Sequence, residues 1–238
     1  IAINKKATPA YLIIANIAGK QNNQAKVERT LKSAYHNVSG NINSEVSIAA
    51  NLGKLYIIQK DPQKFLDLAQ DLNRRHPGNS RVLALLANAQ IANNHAEAAT
   101  NTLQKLTQKD KNDAVHRVQL AKLLLNKPGN KAQIIKLLDE ASAIAPNNPR
   151  LMLQKAAFLI ALKHYDAAFQ IALKLDQSTP NSGIGKILQG DVYLAQKKLD
   201  LALGAYQQAY SIKKNNKVLN KIVDIMIVQK NSATAITF

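Results

Sequence analysis

The stretch from Gly183 to Asn216 restricts the fold of this chain more than any other part of its sequence. Its first half places apolar and small side chains on one face of a helix, at Ile187, Gly190, Tyr193 and Leu194. After a polar break at 196–198, the second half repeats the pattern at Leu199, Ala202, Leu203, Tyr206 and Ala209. The stretch therefore predicts two amphipathic helices, joined by a tight turn and packed closely through their small residues.

The spacing of Gly190, Ala202 and Ala209 around Tyr193 and Tyr206 resembles a tetratricopeptide (TPR) repeat, a unit of about 34 residues. The resemblance implies an all-α fold, an α-solenoid in which helix-turn-helix repeats stack into a right-handed superhelix with a concave inner face. One unit cannot bury its apolar face alone, so the pattern has to recur along the chain.

The pattern does recur, in about six repeats. We predict a single solenoid over residues 1–238, with repeats at 8–45, 46–79, 80–113, 114–148, 149–182 and 183–216, and a partial repeat of one extra helix at 217–238. Prolines recur near three of the repeat ends, at Pro77, Pro146 and Pro180. This regularity favours a solenoid over any other all-α fold.

Two segments depart from the regular pattern. Residues 38–44 (VSGNINS) are rich in turn-forming Gly and Asn, and we expect a loop there, before a repeat that opens at Val46. In the last helix we expect Ile222, Ile225 and Val228 on an exposed face, which favours continuation into further repeats. Because the sequence begins without methionine, we expect it to be part of a longer protein, with any signal peptide or lipid anchor outside it.

Composition limits the classes of function. The 238 residues include no cysteine, which excludes disulfides, thiol catalysis and thiolate metal sites. No apolar run approaches the roughly 20 residues that a membrane span needs. Lys and Arg outnumber Asp and Glu by 32 to 15, and the resulting formal charge of +17 bears on partners rather than on fold.

The sequence shows no constellation of catalytic residues. No Gly-rich phosphate loop, nucleophile elbow or carboxylate pair is present. The five histidines are scattered over different repeats without metal-ligand spacing or a nearby carboxylate cluster: His36, His76, His95, His116 and His164. We interpret His76, His95 and His164 as solvated polar residues. We therefore expect no enzyme activity, no cofactor and no metal.

The inner face of the solenoid is the candidate partner-binding site. In TPR proteins, set positions of each first helix line the concave groove, and the resemblance carries these positions onto this chain. Amide and basic side chains there can hydrogen-bond an extended peptide backbone and attract carboxylates or other anions. The candidate residues are Asn16, Lys20, Asn51, Lys54, Arg81, Asn88, Gln119, Lys122, Arg150 and Gln154. The alternative is that they are ordinary solvated residues on a curved surface.

Part of this set resembles the carboxylate clamp of chaperone-binding TPR domains. Asn16, Asn51 and Arg81 match three clamp positions, if an arginine is accepted in place of the usual lysine. Leu12 and Leu85 stand where that family has basic residues. With two of five clamp residues missing, we do not predict a site for a C-terminal carboxylate.

The remaining basic residues are spread over second helices and turns, as is typical of a solvated surface. Their uniform sign still gives a long-range attraction for polyanions that salt weakens. A nucleic-acid partner is disfavoured, because the sequence has no known nucleic-acid module and no row of aromatic residues for base stacking. An anionic polysaccharide stays open as an alternative partner.

Three longer stretches carry a more specific resemblance: PAYLIIANIAGKQNNQAKVERTLKSA, HPGNSRVLALLANAQIANNHAEAATNTLQKL and GDVYLAQKKLDLALGAYQQAYSI. They are similar to the PrsT-like TPR lipoproteins of bacterial exosortase (PEP-CTERM) and exopolysaccharide systems. The lipidated N-terminal cysteine of that family is absent here. The resemblance implies a periplasmic scaffold for secretion or assembly of surface polysaccharide or sorted proteins.

Three hypotheses of function follow. The first is a non-catalytic, periplasmic interaction scaffold that binds a protein partner along the concave face. The second is direct binding of an anionic polymer, most plausibly an acidic exopolysaccharide, through the basic surface. The third is an intracellular TPR adaptor, such as a chaperone partner in the cytoplasm.

Overall fold

The structure, a computed structural model, describes residues 8–125 and 127–235, with side chains through Gln229. Within those residues it contains thirteen α-helices, a short 3₁₀ helix at Pro180–Ser182 and no strand, which confirms the all-α prediction. The helices are α1 (Thr8–Lys20), α2 (Gln24–Asn37), α3 (Ile42–Ile58), α4 (Pro62–Arg75), α5 (Ser80–Ala92), α6 (Ala96–Lys109), α7 (Ala114–Leu125), α8 (Lys131–Ile144), α9 (Pro149–Ala161), α10 (Tyr165–Ser178), α11 (Ile184–Ala195), α12 (Leu199–Ile212) and α13 (Asn216–Ala235).

The chain forms two compact units, divided between Lys127 and Pro128. In the N-terminal unit each helix from α1 to α7 packs against the next, and α1, α3 and α5 also contact one another in sequence. In the C-terminal unit α8 to α13 pack in the same serial way, and α9 also contacts α11. The boundary falls between α7 and α8, two helices that we placed in one repeat.

Small residues let the helices of a pair approach closely, as the sequence predicted for Gly190. A Cβ atom added at Gly190 would lie 2.5 Å from the ring of Tyr206, which is fully buried on α12. Gly53 has the same place on α3, and its added Cβ would lie 2.4 Å from the ring of Phe65 on α4. The two glycines thus provide the space that a ring of the second helix occupies.

The turns within five of the helix pairs, all except that between α7 and α8, share one conformation. At each of the five, a residue with positive φ is followed by one whose N–H donates to a carbonyl five residues earlier, as in the bond of 2.7 Å from His164 to Leu159. This is the Schellman arrangement, which usually has glycine at the positive-φ position. Here the residues with positive φ are Asn22, Lys60, Asn94, Lys163 and Lys197.

The predicted loop at 38–44 is shorter than expected, because α3 begins at Ile42. Asn41 caps the helix, and its side chain accepts a hydrogen bond of 3.2 Å from the N–H of Ser44. The extra first turn brings Asn43 and Glu45 into α3. The repeat that we expected to open at Val46 therefore starts one turn earlier.

The prediction for the last helix was wrong for two of its three residues. Ile222 and Ile225 are buried against α12, whereas Val228 is exposed as expected. The exposed apolar row of α13 is instead Leu219, Val223 and Met226, at 37%, 43% and 49% exposure. The helix is therefore rotated relative to the predicted register.

No helix in the described part of the chain is both long enough and apolar enough to cross a membrane. This finding agrees with the hydropathy of the sequence, which has no long apolar run.

Candidate functional site: the first-helix face of the N-terminal unit

The candidate site lies on α1, α3, α5 and α7, the first helices of the N-terminal unit. The contacts of α1 with α3 and of α3 with α5 place these helices side by side. The amide of Gln119 on α7 donates a hydrogen bond of 3.1 Å to the side-chain oxygen of Asn88 on α5. We call the surface formed by these four helices the first-helix face.

Four exposed cations lie on the first-helix face: Lys20, Lys54, Arg81 and Lys122. Among the described residues, no hydrogen bond or ion pair holds the ammonium groups of Lys20, Lys54 and Lys122. Arg81 donates a hydrogen bond of 2.6 Å to the side-chain oxygen of Asn43, a neutral partner that leaves its charge uncompensated. The cations are therefore available to a ligand with negative charge.

The four first helices contain one carboxylate, that of Glu45, and it does not offset these charges on the surface. Its side chain is only 1% exposed and lies 2.9 Å from the guanidinium of Arg75 on α4. It also accepts a bond of 2.7 Å from the N–H of Gly40 and lies 3.2 Å from His76. Burial opposes ionisation of Glu45, but these hydrogen bonds and the charge of Arg75 outweigh it and hold its pKa below the usual value.

A pocket of about 540 Å³ opens between α1, α2 and α3. Three predicted site residues line it: Asn16, Asn51 and Lys54. Its walls are largely apolar, with Leu12 from α1 and Ile58 from α3. Amides, one cation and aliphatic side chains thus surround the same space, which suits an apolar side chain carried on a polar backbone.

The amides of this pocket differ in how free they are. The NH₂ group of Asn51 donates to the carbonyl of Ser47 on its own helix, at 2.8 Å. Among the described residues, no hydrogen bond holds the side chain of Asn16. Asn16 can therefore offer both a donor and an acceptor to a ligand, and Asn51 chiefly an acceptor.

Two predicted site residues lie in the other unit. Arg150 and Gln154 are on α9, and no side-chain hydrogen bond holds either of them within the described residues. Their neighbour Lys155 is paired with Asp139 at 2.7 Å, and α11 presents Asp191. The first helices of the C-terminal unit therefore have both signs of charge, unlike those of the N-terminal unit.

Asn43 and Glu45 belong to the site region and were not predicted. Both fall in or next to the segment that we expected to be a loop, so they received no place on a helix face. The signal that could have found them is Asn41, a residue type that caps helices, three residues before Ser44.

One histidine differs from the sequence interpretation. His76 is not simply solvated, because its Nε2 atom lies beside the buried carboxylate of Glu45. His116 contacts a single carboxylate, that of Asp113, through its Nδ1 atom. His95 and His164 are exposed, as predicted. Over the described residues, no group of three or more potential ligands from His, Asp and Glu converges on a metal site.

The geometry of these residues does not form a carboxylate clamp. Asn16 and Asn51 share the pocket, but Leu12 adds an apolar wall to it and Leu85 is buried. Arg81 is bonded to Asn43. The arrangement is a mixed groove with dispersed positive charge rather than a cluster of cations around one point.

A comparison with models of protein families finds a repeat that consists of two packed helices, as in the pairs described above. Residues 48–123, about a third of the chain, match the family model described as tetratricopeptide repeat. The sequence matches no curated protein.

Several solved structures have a similar fold. PilF of Pseudomonas aeruginosa is 15% identical, with a TM-score of 0.64 over 93% of this chain and 97% of that one. PilW, a type IV pilus biogenesis factor, is 14% identical, with a TM-score of 0.61 over 81% of this chain and 89% of that one. A tetratricopeptide repeat protein from Parabacteroides merdae is 16% identical, with a TM-score of 0.56 over 92% and 98% of the two chains. The chain thus has the fold of tetratricopeptide repeat proteins, and its residues 48–123 match that family.

Proposed function

We propose that this protein is a non-catalytic scaffold whose first-helix face binds an extended, acidic segment of a protein partner. The observation that supports this is the charge distribution of the N-terminal unit. Lys20, Lys54, Arg81 and Lys122 are exposed, while the one carboxylate of the same helices, Glu45, is buried and paired. A surface of this kind attracts carboxylates and speeds association with an acidic ligand.

The polar groups on the face suit a peptide. Asn16 offers a free amide, and the exposed Asn88, whose side-chain oxygen accepts from Gln119, offers an NH₂ group without a partner among the described residues. A peptide backbone in an extended conformation has unpaired N–H and C=O groups that such amides can satisfy. The pocket beside Asn16 and Lys54 then receives an apolar side chain, which supplies the buried anchor that tight interfaces need.

The proposed setting is the periplasm, in bacterial secretion or assembly of exopolysaccharide or sorted surface proteins. Its support is the resemblance of three long stretches of the sequence to TPR lipoproteins of such systems. Fractionation of cells that express the parent protein tests it, with recovery in the periplasmic or membrane fraction expected. Recovery in the cytoplasm would favour the intracellular adaptor instead.

Charge reversal on the face tests the binding site. The triple variant Lys54→Glu/Arg81→Glu/Lys122→Glu is expected to lose capture of the partner from a lysate of the source organism, with unchanged helical circular dichroism. The matched control is Lys26→Glu/Lys105→Glu/Lys111→Glu, which changes the charge equally at exposed positions outside the face. Capture that survives in the face variant would show that the face is not the binding site.

The second candidate function is binding of an acidic polysaccharide through the whole basic surface, and the formal charge of +17 favours it. Salt separates the two functions. Binding through scattered surface charges falls steeply as ionic strength rises, whereas a partner with a buried apolar anchor loses less. Equal loss in the face variant and in the control variant, together with elution by salt, would support the polymer.

A further inference from the structure

A second pocket lies in the C-terminal unit and includes no residue of the first-helix face. It has a volume of about 240 Å³ and opens between the second helices α8 and α10, above α9. Aliphatic side chains form its inner surface, with Ile135 and Leu138 from α8, Leu159 from α9 and Ile171 from α10. Leu138 and Leu159 are buried, so the inner surface is fixed by core packing.

The next junction along the array, where α10 and α12 pack on α11, has an aromatic pair at two of the corresponding positions. The residues that stand 34 positions after Ile135 and Leu159 are Phe169 and Tyr193. Their rings pack against each other there, with centroids 5.3 Å apart and a tilt of 53° between the planes. At the earlier junction, Ile135 and Leu159 provide no ring. Two other wall residues, Leu138 and Ile171, correspond to Ala172 and Ala205 in the next pair, so its rings have smaller neighbours. The pocket and the ring pair therefore share two positions, while the rest of their walls differs.

The mouth of the pocket is polar. Lys155 donates a bond of 2.7 Å to Oδ1 of Asp139, which neutralises the charge of both groups. No described residue bonds to Oδ2 of Asp139, so this oxygen can accept a further hydrogen bond. His164, at the start of α10, adds an exposed imidazole to the same rim. The mouth thus offers the Oδ2 acceptor of Asp139 and the imidazole of His164. The paired charges of Lys155 and Asp139 add no net charge to it.

We propose that this pocket binds a small phenolic ligand, a single aromatic ring with a hydroxyl group. The ring packs between Ile135, Leu159 and Ile171, beside the two positions that hold a ring pair one repeat later. The hydroxyl donates to Oδ2 of Asp139 at the mouth. The volume is sufficient, because an apolar cavity of about 150 Å³ holds benzene. This site is independent of the partner-binding face and uses none of its residues.

The test uses the full 238-residue chain with p-cresol as the probe and toluene as the analogue without the hydroxyl. Titration followed by NMR is expected to give saturable binding of p-cresol, and binding of toluene that is weaker by about threefold or more. Intermolecular NOEs from the ring of p-cresol to the methyl groups of Ile135 and Ile171 are expected. Saturation without these NOEs, or no binding of p-cresol, would overturn the proposal.

Refilling the pocket gives a sharper test. The variant Ile135→Phe/Leu159→Tyr copies the ring pair of the next junction and is expected to reduce affinity for p-cresol by about tenfold or more. Asp139→Asn is expected to reduce the preference for p-cresol over toluene and to leave toluene binding unchanged. Lys174→Ala, an exposed change elsewhere on α10, is the control and should alter neither.

The same experiment distinguishes a free ligand from a tyrosine side chain of a partner. A blocked tripeptide, Gly-Tyr-Gly amide, is expected to bind more weakly than p-cresol, because ordering its backbone at the mouth costs conformational entropy. Tighter binding of the tripeptide would replace the small ligand with a protein partner. If the refilled variant fails to fold, the NOEs in the wild-type protein still decide the matter.

Discussion

The hydroxyl of Tyr206 donates a hydrogen bond of 2.6 Å to the carboxylate of Asp191, across the closely packed pair α11 and α12. The ammonium of Lys221, on α13, contacts the same carboxylate and lies 5.1 Å from the centre of the Tyr206 ring. Three successive helices are thus joined at one carboxylate. Burial, followed by the bond to Asp191, raises the pKa of Tyr206 above its ordinary value, so the hydroxyl stays protonated.

We predict that Asp191→Ala lowers the free energy of unfolding by about 1–3 kcal/mol, because it leaves the buried hydroxyl of Tyr206 without its acceptor. Urea unfolding measures the change. The control is Asp224→Ala, which removes an exposed carboxylate on α13 and should cost less than about 0.5 kcal/mol. Equal effects of the two substitutions would contradict a structural role for the hydrogen bond.

Glycine-to-alanine substitutions at two positions should have opposite effects on stability. At one position the helices approach closely, and at the other only the helix propensity of the residue changes. Gly190→Ala places a Cβ atom against the Tyr206 ring and is expected to destabilise the protein by about 1–3 kcal/mol. Gly204→Ala, on α12, meets no atom within 4 Å and should stabilise it by about 0.5–1 kcal/mol. Thermal unfolding of both variants is the measurement. A stabilising Gly190→Ala would show that the helices can separate at little cost.

A lysine in the turn between α9 and α10 is expected to be strained. Lys163 has a φ of 63°, a left-handed conformation that a side chain disfavours. Lys163→Gly should raise the free energy of unfolding by up to about 1 kcal/mol, since relief of strain exceeds the added entropy of the unfolded glycine. Lys174→Gly, within α10, should lower it by about 1 kcal/mol. If both substitutions destabilise alike, the turn is not strained.

The buried ion pair of Glu45 predicts a dependence on acid pH. Because the fold lowers the pKa of Glu45 below its ordinary 4.5, the unfolded chain binds the proton more tightly. The stabilisation is therefore complete above the ordinary value and is lost as pH falls below it. Glu45→Gln should cost about 1.5–3 kcal/mol at pH 7 and clearly less at pH 3. Urea midpoints at both values test this, and a pH-independent cost would contradict it.

The same pH series needs a carboxylate control. Asp224 is exposed in the middle of α13 and has no hydrogen-bond partner among the described residues. Asp224→Asn should change the urea midpoint little at either pH, because an exposed carboxylate without a partner contributes little to stability. The comparison separates the effect of one buried carboxylate from the general effect of protonating the acidic residues.

The helix pairs were predictable because their packing is periodic. Gly190 and Tyr206 show this, since a small residue facing a ring at fixed spacing leaves little choice of geometry. The start of α3 was missed because Asn41 and Gly40 resemble a loop, and only the cap at Asn41 shows that the helix begins there. The rotation of α13 was missed because apolar residues lie on several of its faces, and contact with α12 decides which of them is buried.

The candidate site was predictable in part. Its amides and cations followed from repeat positions, but the pairing of Gln119 with Asn88 and of Arg81 with Asn43 depends on distances between helices. The burial of Glu45 had no signal in the sequence, because its partner Arg75 lies 30 residues away on another helix. Which charges stay on the surface is therefore a property of the folded unit rather than of the composition.

The positions of Ile135 and Leu159 hold Phe169 and Tyr193 one repeat later, and those of Leu138 and Ile171 hold Ala172 and Ala205. A repeat array can therefore gain or lose a cavity through side-chain changes on its packed faces, while the helices keep their packing order. Each junction is an independent place for such a change, since its packing depends on its immediate neighbours alone. In a chain of this kind, new small-molecule specificity can arise without a new fold, a new loop or any change on the first-helix face.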